Sequence, residues 1–504
     1  MEGERSRSQL PPLVADLLAR AVSAAGGGGV EAEARRAGEA GLVAELEARI
    51  AGLEAQVAEL RGRLSLNSGN SSKPPSSDGY AKPPASANRS LRRASGRRPG
   101  GQPGSEGHHL ARVEVPDAVV PHEPERCVGC GGSLEDGELV GVERRQVFDL
   151  PPETRLEVCE HRALRRRCRC CGQVSAGVFP DGVRAPACYG PRLRARVLYL
   201  AVYQHLPYER IARLLADCYG ASVSTGTLQA IVAQGTAGLE PFLEEVRGRL
   251  ADTAVVHFDE TGARAAGSLH WVHEASSETL TLYRLHRRRG REGIEALGVL
   301  PGFAGVAVHD GFAPYRTYTG CTHALCNGHH LRELAGIDGE KGQSWAAAMS
   351  ALLLELKAAV EAAKEAGAER IEAAALAGYR QRYRQIIAAG YARNPEPART
   401  GKRGRPRQGK ARSLLLRLDR YQDDVLRFAH DFAVPFDNNQ AERDVRMVKL
   451  QQKISGCWRS REGAEAFLAL RSYISTARKQ GEGVLAVLGA AVQGEPWLPA
   501  AGAT

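Results

Sequence analysis

The chain has 504 residues, 43% of them hydrophobic, with 68 Lys and Arg against 58 Asp and Glu and a formal charge of +10. That length exceeds one ordinary domain and predicts roughly three or four folded units; the modest basic excess leans toward nucleic acid as a partner. The first residues, MEGERSRSQLPP, lack the apolar core of a secretory signal. No apolar run reaches the roughly 18 residues of a membrane span, so a cytoplasmic, nucleoid-associated protein without a membrane partner is expected.

Within residues 1–66, Val43, Leu46, Ile50, Leu53, Val57, Leu60 and Leu64 recur at alternating steps of three and four, with Glu and Arg around them. That is the seam of a leucine-zipper-like coiled coil over about 43–64, and a self-associating helix predicts a homo-oligomer. Residues 67–110 change to Ser, Pro, Gly and basic side chains, a linker too poor in apolar surface to fold alone. Its Arg92, Arg93, Arg97 and Arg98 suit either phosphate contact or plain solvation.

Residues 111–180 hold two cysteine pairs, Cys127-x-x-Cys130 and Cys168-x-x-Cys171, each followed by Gly. In a chain with no secretory signal, such pairs predict tetrahedral Zn²⁺ held by four thiolates, a closed structural site. Cys170 lacks the pair spacing, and the long stretch between the pairs reads as a hairpin. Residues 186–246 read as helices. In PYERIARLLADCYGASVSTGTLQAIVAQ, a helix, Gly220, a Ser224/Thr225 cap and a second helix resemble a helix-turn-helix for DNA.

From residue 250 the period changes. TAVVHFDE, LHWVHEA and TLTLYRLH read as three strands, REGIEALGVL as a helix, and GVAVHDGFAPY as a fourth strand. That order, with Asp259 ending the first strand and Asp310 the fourth, is the order of a ribonuclease-H-like domain. In that fold the two strands lie side by side, so two carboxylates would hold divalent cations for phosphodiester cleavage. Alternation puts Glu260 on the opposite face, as a bystander. Residues 346–430 read as a helical insertion with Met349, Leu353, Leu356 and Val360 on one face, ending in a basic loop. The RGRP of that loop, with Arg403 and Arg405, resembles an AT-hook for the minor groove. In FDNNQAERDVRMVKLQQKISG, Asp437 or Asn438 is a helix N-cap. Glu442 follows in the first turns, then Arg443, Arg446, Lys449 and Lys453 at helical spacing. A third metal-binding carboxylate beside a phosphate-binding stripe fits that pattern, as does a surface helix with ordinary ion pairs.

The segments NSSKPPSSD, GGQPGSEGH, HLPYER, HFDETG, DNNQAERDVRMVKLQQKISG and SYISTARKQG together resemble the insertion-sequence-66 family of DDE transposases, over about residues 41–490. The resemblance implies a multidomain α/β protein: a ribonuclease-H-like core over 250–480, interrupted by the helical insertion and preceded by the zipper, the zinc-binding domain and the helical DNA-binding region. A C-terminal tail, 481–504, follows. It implies Asp259, Asp310 and Glu442 as catalytic ligands of Mg²⁺ or Mn²⁺, Cys127, Cys130, Cys168 and Cys171 as Zn²⁺ ligands, and double-stranded DNA, both element ends and target, as substrate. Accessory proteins of the same element are further partners it allows. One departure stands out: where the family reads Cys, Trp, Ala, His, then Arg, this chain has CTHALCNGHHLREL, with Cys321, His323, Cys326, His329 and His330. That cluster reads either as a quietly packed variant or as a second metal site. Two other functions remain open on the sequence: a catalytically silent DNA-binding accessory protein, and a structure-specific nuclease on the same core.

Overall fold

A computed structural model describes residues 111–150, 154–338, 342–397 and 408–500, with scattered positions between 43 and 60. The chain divides into two units, Met1–Ala81 and Lys82–Thr504. In the first, Val43, Leu46, Ile50, Leu53, Val57 and Leu60 are helical and exposed. Leu64, the linker over 67–110 and the RGRP segment with Arg403 and Arg405 lie outside the described residues.

In the second unit, β1 (Arg165–Arg167) and β2 (Val174–Ala176) form an antiparallel hairpin around the second cysteine pair. Among the described residues between the two pairs, the one strand is Arg165–Arg167, and it pairs across the second knuckle with β2 rather than within a hairpin between the knuckles; Leu139, Val140, Val142, Val147 and Val158 are exposed. With no core to bury them, their β-forming side chains have nothing to pack on.

Helices α1 (Pro191–Leu198), α2 (Tyr208–Tyr219), α3 (Thr225–Thr236) and α4 (Glu240–Asp252) follow. Gly220 ends α2 in the left-handed region at φ 63°, where a residue with a Cβ is strained. The Ser224 hydroxyl then caps α3 by accepting from the Thr227 N–H at 3.1 Å. Leu228, Ile231 and Val232 of α3 are buried, so its apolar face is spent on the core.

The central sheet has the strand order β5 (Thr281–His286), β4 (Ser268–Ser276), β3 (Val255–Ala265), β6 (Val306–His309), β7 (Thr322–Leu325). The β3–β4 and β4–β5 pairs are antiparallel; β3–β6 and β6–β7 are parallel. The first and fourth strands are therefore neighbours. Helix α5 (Arg291–Leu297) makes the crossover between β5 and β6.

One expectation needs correcting. β3 does not end at Asp259; it runs on to Ala265 and turns tightly into β4 through Ala266 and Gly267, at φ 49° and 72°. The apolar alternation fades after Phe258, but β4 supplies a partner for every later residue, and pairing overrides composition.

After β7, α6 (Asn327–Asp338) leads into the insertion: α7 (Ser344–Glu365), α8 (Ala373–Arg393) and α9 (Lys410–Arg420). Met349, Leu353, Leu356 and Val360 of α7 are buried with Tyr383, Ile387 and Leu415 in a core separate from the main one. The chain returns through α10 (Asn439–Ser455), α11 (Arg461–Lys479) and α12 (Val484–Gln493). α11 covers the sheet edge: the N–H groups of Thr281 and Tyr283 on β5 donate to the Thr476 and Ser472 hydroxyls, each at 3.0 Å. An edge strand that would otherwise offer free N–H groups is thus satisfied inside the domain. Among the described residues, no helix is long and apolar enough to cross a membrane.

Candidate active site

The site is built where the sheet changes from antiparallel to parallel pairing. The last register pair along β3 and β6 is His257 with Val308. Asp259 stands two residues further on along β3, and Asp310 two residues beyond Val308, just past the end of β6, while β3 continues beside β4. The Glu260 N–H donates to Asp259 Oδ1, and the Phe312 N–H donates to Asp310 Oδ1, both at 2.8 Å. Part of the Asp259 surface is open, yet protein surrounds the carboxyl closely. Burial, then the negative charges of Glu260, Asp310 and Glu274, push its pKa well above the usual carboxylate range.

Glu260 is buried rather than facing solvent. Its Oε1 accepts from Arg289 Nε at 2.9 Å and Nη2 at 2.7 Å, and its Oε2 accepts from the Tyr315 hydroxyl at 2.6 Å. Burial and the charge of Asp310 raise it to about 7, partly offset by Tyr315 and Arg289. Glu274 pairs with Asp259 across β3 and β4 and is buried. Sequence reasoning missed it, because LHWVHEA reads equally well with that Glu at a strand's end.

Glu442 lies in the first turn of α10. The N-cap is Asn438, but its side chain does not cap. It bridges to β3 instead: Asn438 Nδ2 donates to the Phe258 carbonyl at 2.9 Å, and Oδ1 meets His257 Nδ1 at 2.7 Å. Both partners directly precede Asp259 on β3, so one buried amide pins the start of α10 beside the acidic strand. Its signal was the NN of DNNQ, read only as a cap.

The Glu442 carboxylate itself turns toward α6. Oε1 accepts from Arg332 Nη2 at 2.9 Å and is 3.7 Å from His329 Nδ1; Oε2 is 3.5 Å from Arg446. Asp259 and Asp310 are not gathered with it: among the described residues, the metal-capable cluster is Cys326, His329 and Glu442. Burial pushes the Cys326 thiol up to about 12 and His329 down to about 3, the latter helped by the charge of Arg332. Cys321, His323 and His330 stand apart from that cluster: His323 Nδ1 meets His309 at 3.0 Å, and His330 Nδ1 meets Asn327 at 3.1 Å.

Of the basic stripe, Arg443, Arg446 and Lys453 are exposed. Lys449 is half-buried and donates to the Gly262 carbonyl on β3. Helical periodicity places these residues on one side but does not reveal which one the strand will capture.

The two cysteine pairs fold alike. The Cys127 N–H donates to the Gly132 carbonyl and the Gly131 N–H to the Cys127 carbonyl, both at 2.8 Å. Cys168 repeats this with Gln173 at 2.7 Å and Gly172 at 3.0 Å. Gly131 and Gly172 take φ 73° and 75°, a turn that demands glycine. Neighbouring amides and the paired cysteine lower the Cys127 and Cys168 thiols. The four sulfurs are not gathered into one cluster.

The fold and site define a mixed α/β protein with buried carboxylates on a five-stranded sheet, flanked by an arginine-bearing helix. Residues 186–466 match the family described as "Transposase IS66 family", more than half of the chain, and the chain belongs to that family. Membership makes it a transposase of mobile elements, a class that acts on DNA by phosphodiester cleavage and transesterification. Residues 29–111 match a "Family of unknown function (DUF6444)". Among curated proteins the chain is similar to the "Uncharacterized protein y4jD" of Sinorhizobium fredii, 24% identical over 419 residues and 74% of each chain. It is also similar to the "Uncharacterized protein y4hP" of the same organism, 28% identical over 145 residues, 29% of this chain and 26% of that one.

Proposed function

We propose that this transposase is a divalent-metal enzyme whose sheet is a ribonuclease-H-like core, with Asp259, Asp310 and Glu442 as its acidic triad. The observation that carries the reading is that Asp259 on β3 and Asp310, just past the end of β6, each stand two residues beyond the last pair of these adjacent parallel strands. Their oxygens suit Mg²⁺ or Mn²⁺, hard cations that prefer carboxylates. The fit is supported by repulsion: Asp259, Glu260, Asp310 and Glu274 crowd one buried region, and Arg289 compensates Glu260 alone. When bound, two such cations supply a nucleophilic water and stabilise the leaving oxygen.

The chain's own residues do the rest. Asp259 and Asp310 provide the ligand oxygens, and the Asn438 amide fixes α10 against the strand that carries Asp259. Glu442 would have to leave the His329 side to complete the triad, a rotation at the first turn of α10. Exposed Arg443, Arg446 and Lys453 offer positive charge to the DNA backbone, with Arg403 and Arg405 as further contacts. Cleavage at the element's end frees a 3′-hydroxyl, and the same site aligns it on target DNA for strand transfer. The like turns of the two knuckles support a structural Zn²⁺ on Cys127, Cys130, Cys168 and Cys171, which requires the four sulfurs, apart in this structure, to come together. The capped α2–α3 pair supports end recognition, and the exposed seam over Val43–Leu60 supports pairing of two ends through a homo-oligomer.

The test is cleavage of labelled DNA carrying the element's ends, with Mg²⁺ or EDTA, comparing wild type with Asp259→Asn. Mg²⁺-dependent nicking, lost at least about 100-fold in the variant with end binding intact, is expected. Binding without nicking by the wild type would favour a silent accessory protein. Nicking of DNA without such ends would favour a nuclease.

A further inference from the structure

We propose that Cys326, His329 and Glu442 form a binding site for a soft divalent cation of the Zn²⁺ class, separate from the Asp259–Asp310 pair. Cys326 follows β7 directly, and His329 comes three residues later in the first turn of α6. This is a Cys-x-x-His knuckle, and Glu442 approaches it from α10. One ligand atom from each residue lies within 4.8 Å of the other two. A cation at the centre of such a triangle has sulfur, nitrogen and carboxylate oxygen available, a donor set that suits Zn²⁺ rather than Mg²⁺.

Two details point the same way. The Asn438 N–H donates to Cys326 Sγ at 3.1 Å, the outer hydrogen bond that metal-bound thiolates receive. His329 Nδ1 is buried and has no hydrogen-bond partner, so its ring nitrogen is free to ligate. Three protein ligands leave a fourth position open for water or another anion. An ion held there keeps Glu442 on the α6 side, away from the Asp pair. The site therefore goes beyond the catalytic reading and shares one residue with it.

Cobalt titration of the full chain tests the proposal, because thiolate-to-Co²⁺ absorption needs neither DNA nor Mg²⁺. The background is removed by replacing Cys127, Cys130, Cys168 and Cys171 with Ser. This form is expected to bind one equivalent of Co²⁺ with the absorption of a single thiolate. Adding either Cys326→Ser or His329→Gln should abolish the band or weaken affinity at least tenfold, with the circular dichroism spectrum unchanged. Adding Asp259→Asn should leave the band in place, so a failed catalytic triad and a failed soft-metal site give different results. No band, or a band that His329→Gln leaves untouched, overturns the proposal. Should Cys326→Ser not fold, the parent and His329→Gln decide.

Discussion

At the scale of single residues, Asn438 holds more than any motif announces. It satisfies His257 and the Phe258 carbonyl in a buried setting, so Asn438→Ala leaves two polar groups without partners. Leaving a buried group unsatisfied costs about 1–3 kcal/mol, and a thermal melt should show a loss of that size. End cleavage should fall with it, since α10 loses its tether beside Asp259. His273 makes a pH prediction. Burial lowers it from 6.5 to about 4, and it stays neutral against the Arg288 carbonyl at 3.1 Å. The folded state then binds fewer protons than the unfolded chain between those values. Stability is full above pH 6.5 and is lost as pH falls toward about 4. Denaturant midpoints across that window should show the slope, and His273→Gln should reduce it without abolishing it, since burial also lowers His257, His309, His329 and His330; an equal slope in both would remove His273 as a contributor.

At the scale of elements, the sheet edge is governed by α11. Ser472 and Thr476 accept from β5 in place of a sixth strand. Ser472→Ala with Thr476→Val should cost about 1–3 kcal/mol per orphaned N–H in denaturant unfolding. Amide exchange at Thr281 and Tyr283 should quicken selectively; uniform exchange across the sheet would refute this role. The strands, the crossover helix and the insertion were legible because their apolar periods are long and clean. The true end of β3 was not. GARA carries no strand signal, and only its pairing with β4 makes it one. The hairpin expected between the cysteine pairs gave way to another pairing: among the described residues only Arg165–Arg167 forms a strand, and its partner lies beyond the second pair.

At the scale of the whole molecule, the cysteine knuckles and the sheet are stabilised by different means. Apolar residues around the knuckles, such as Val128, Leu139 and Val178, are exposed. The proposed Zn²⁺ would take the place of a core in holding the two knuckles, as in small metal-dependent folds. Replacing Cys127 and Cys130 by Ser should remove one Zn²⁺ by atomic absorption. The main thermal transition, which reports the sheet, should stay within a few degrees. Unchanged zinc content would refute the four-thiolate assignment, and a collapsed main transition would show that the sheet depends on the ion.

The sequence by itself determined the family and the adjacency of the first and fourth strands, and it proposed the two aspartates, because local period and motif spacing survive without a fold. It also supplied both cysteine pairs, each complete within six residues of backbone hydrogen bonding. Only the tertiary structure decided which carboxylates are neighbours. Burial of Glu260 against Arg289 and Tyr315, Glu274 opposite Asp259, and Glu442 turned toward Cys326 and His329 all join residues far apart in the chain. Such contacts depend on how strands pair and helices pack, and no local pattern along the chain encodes them.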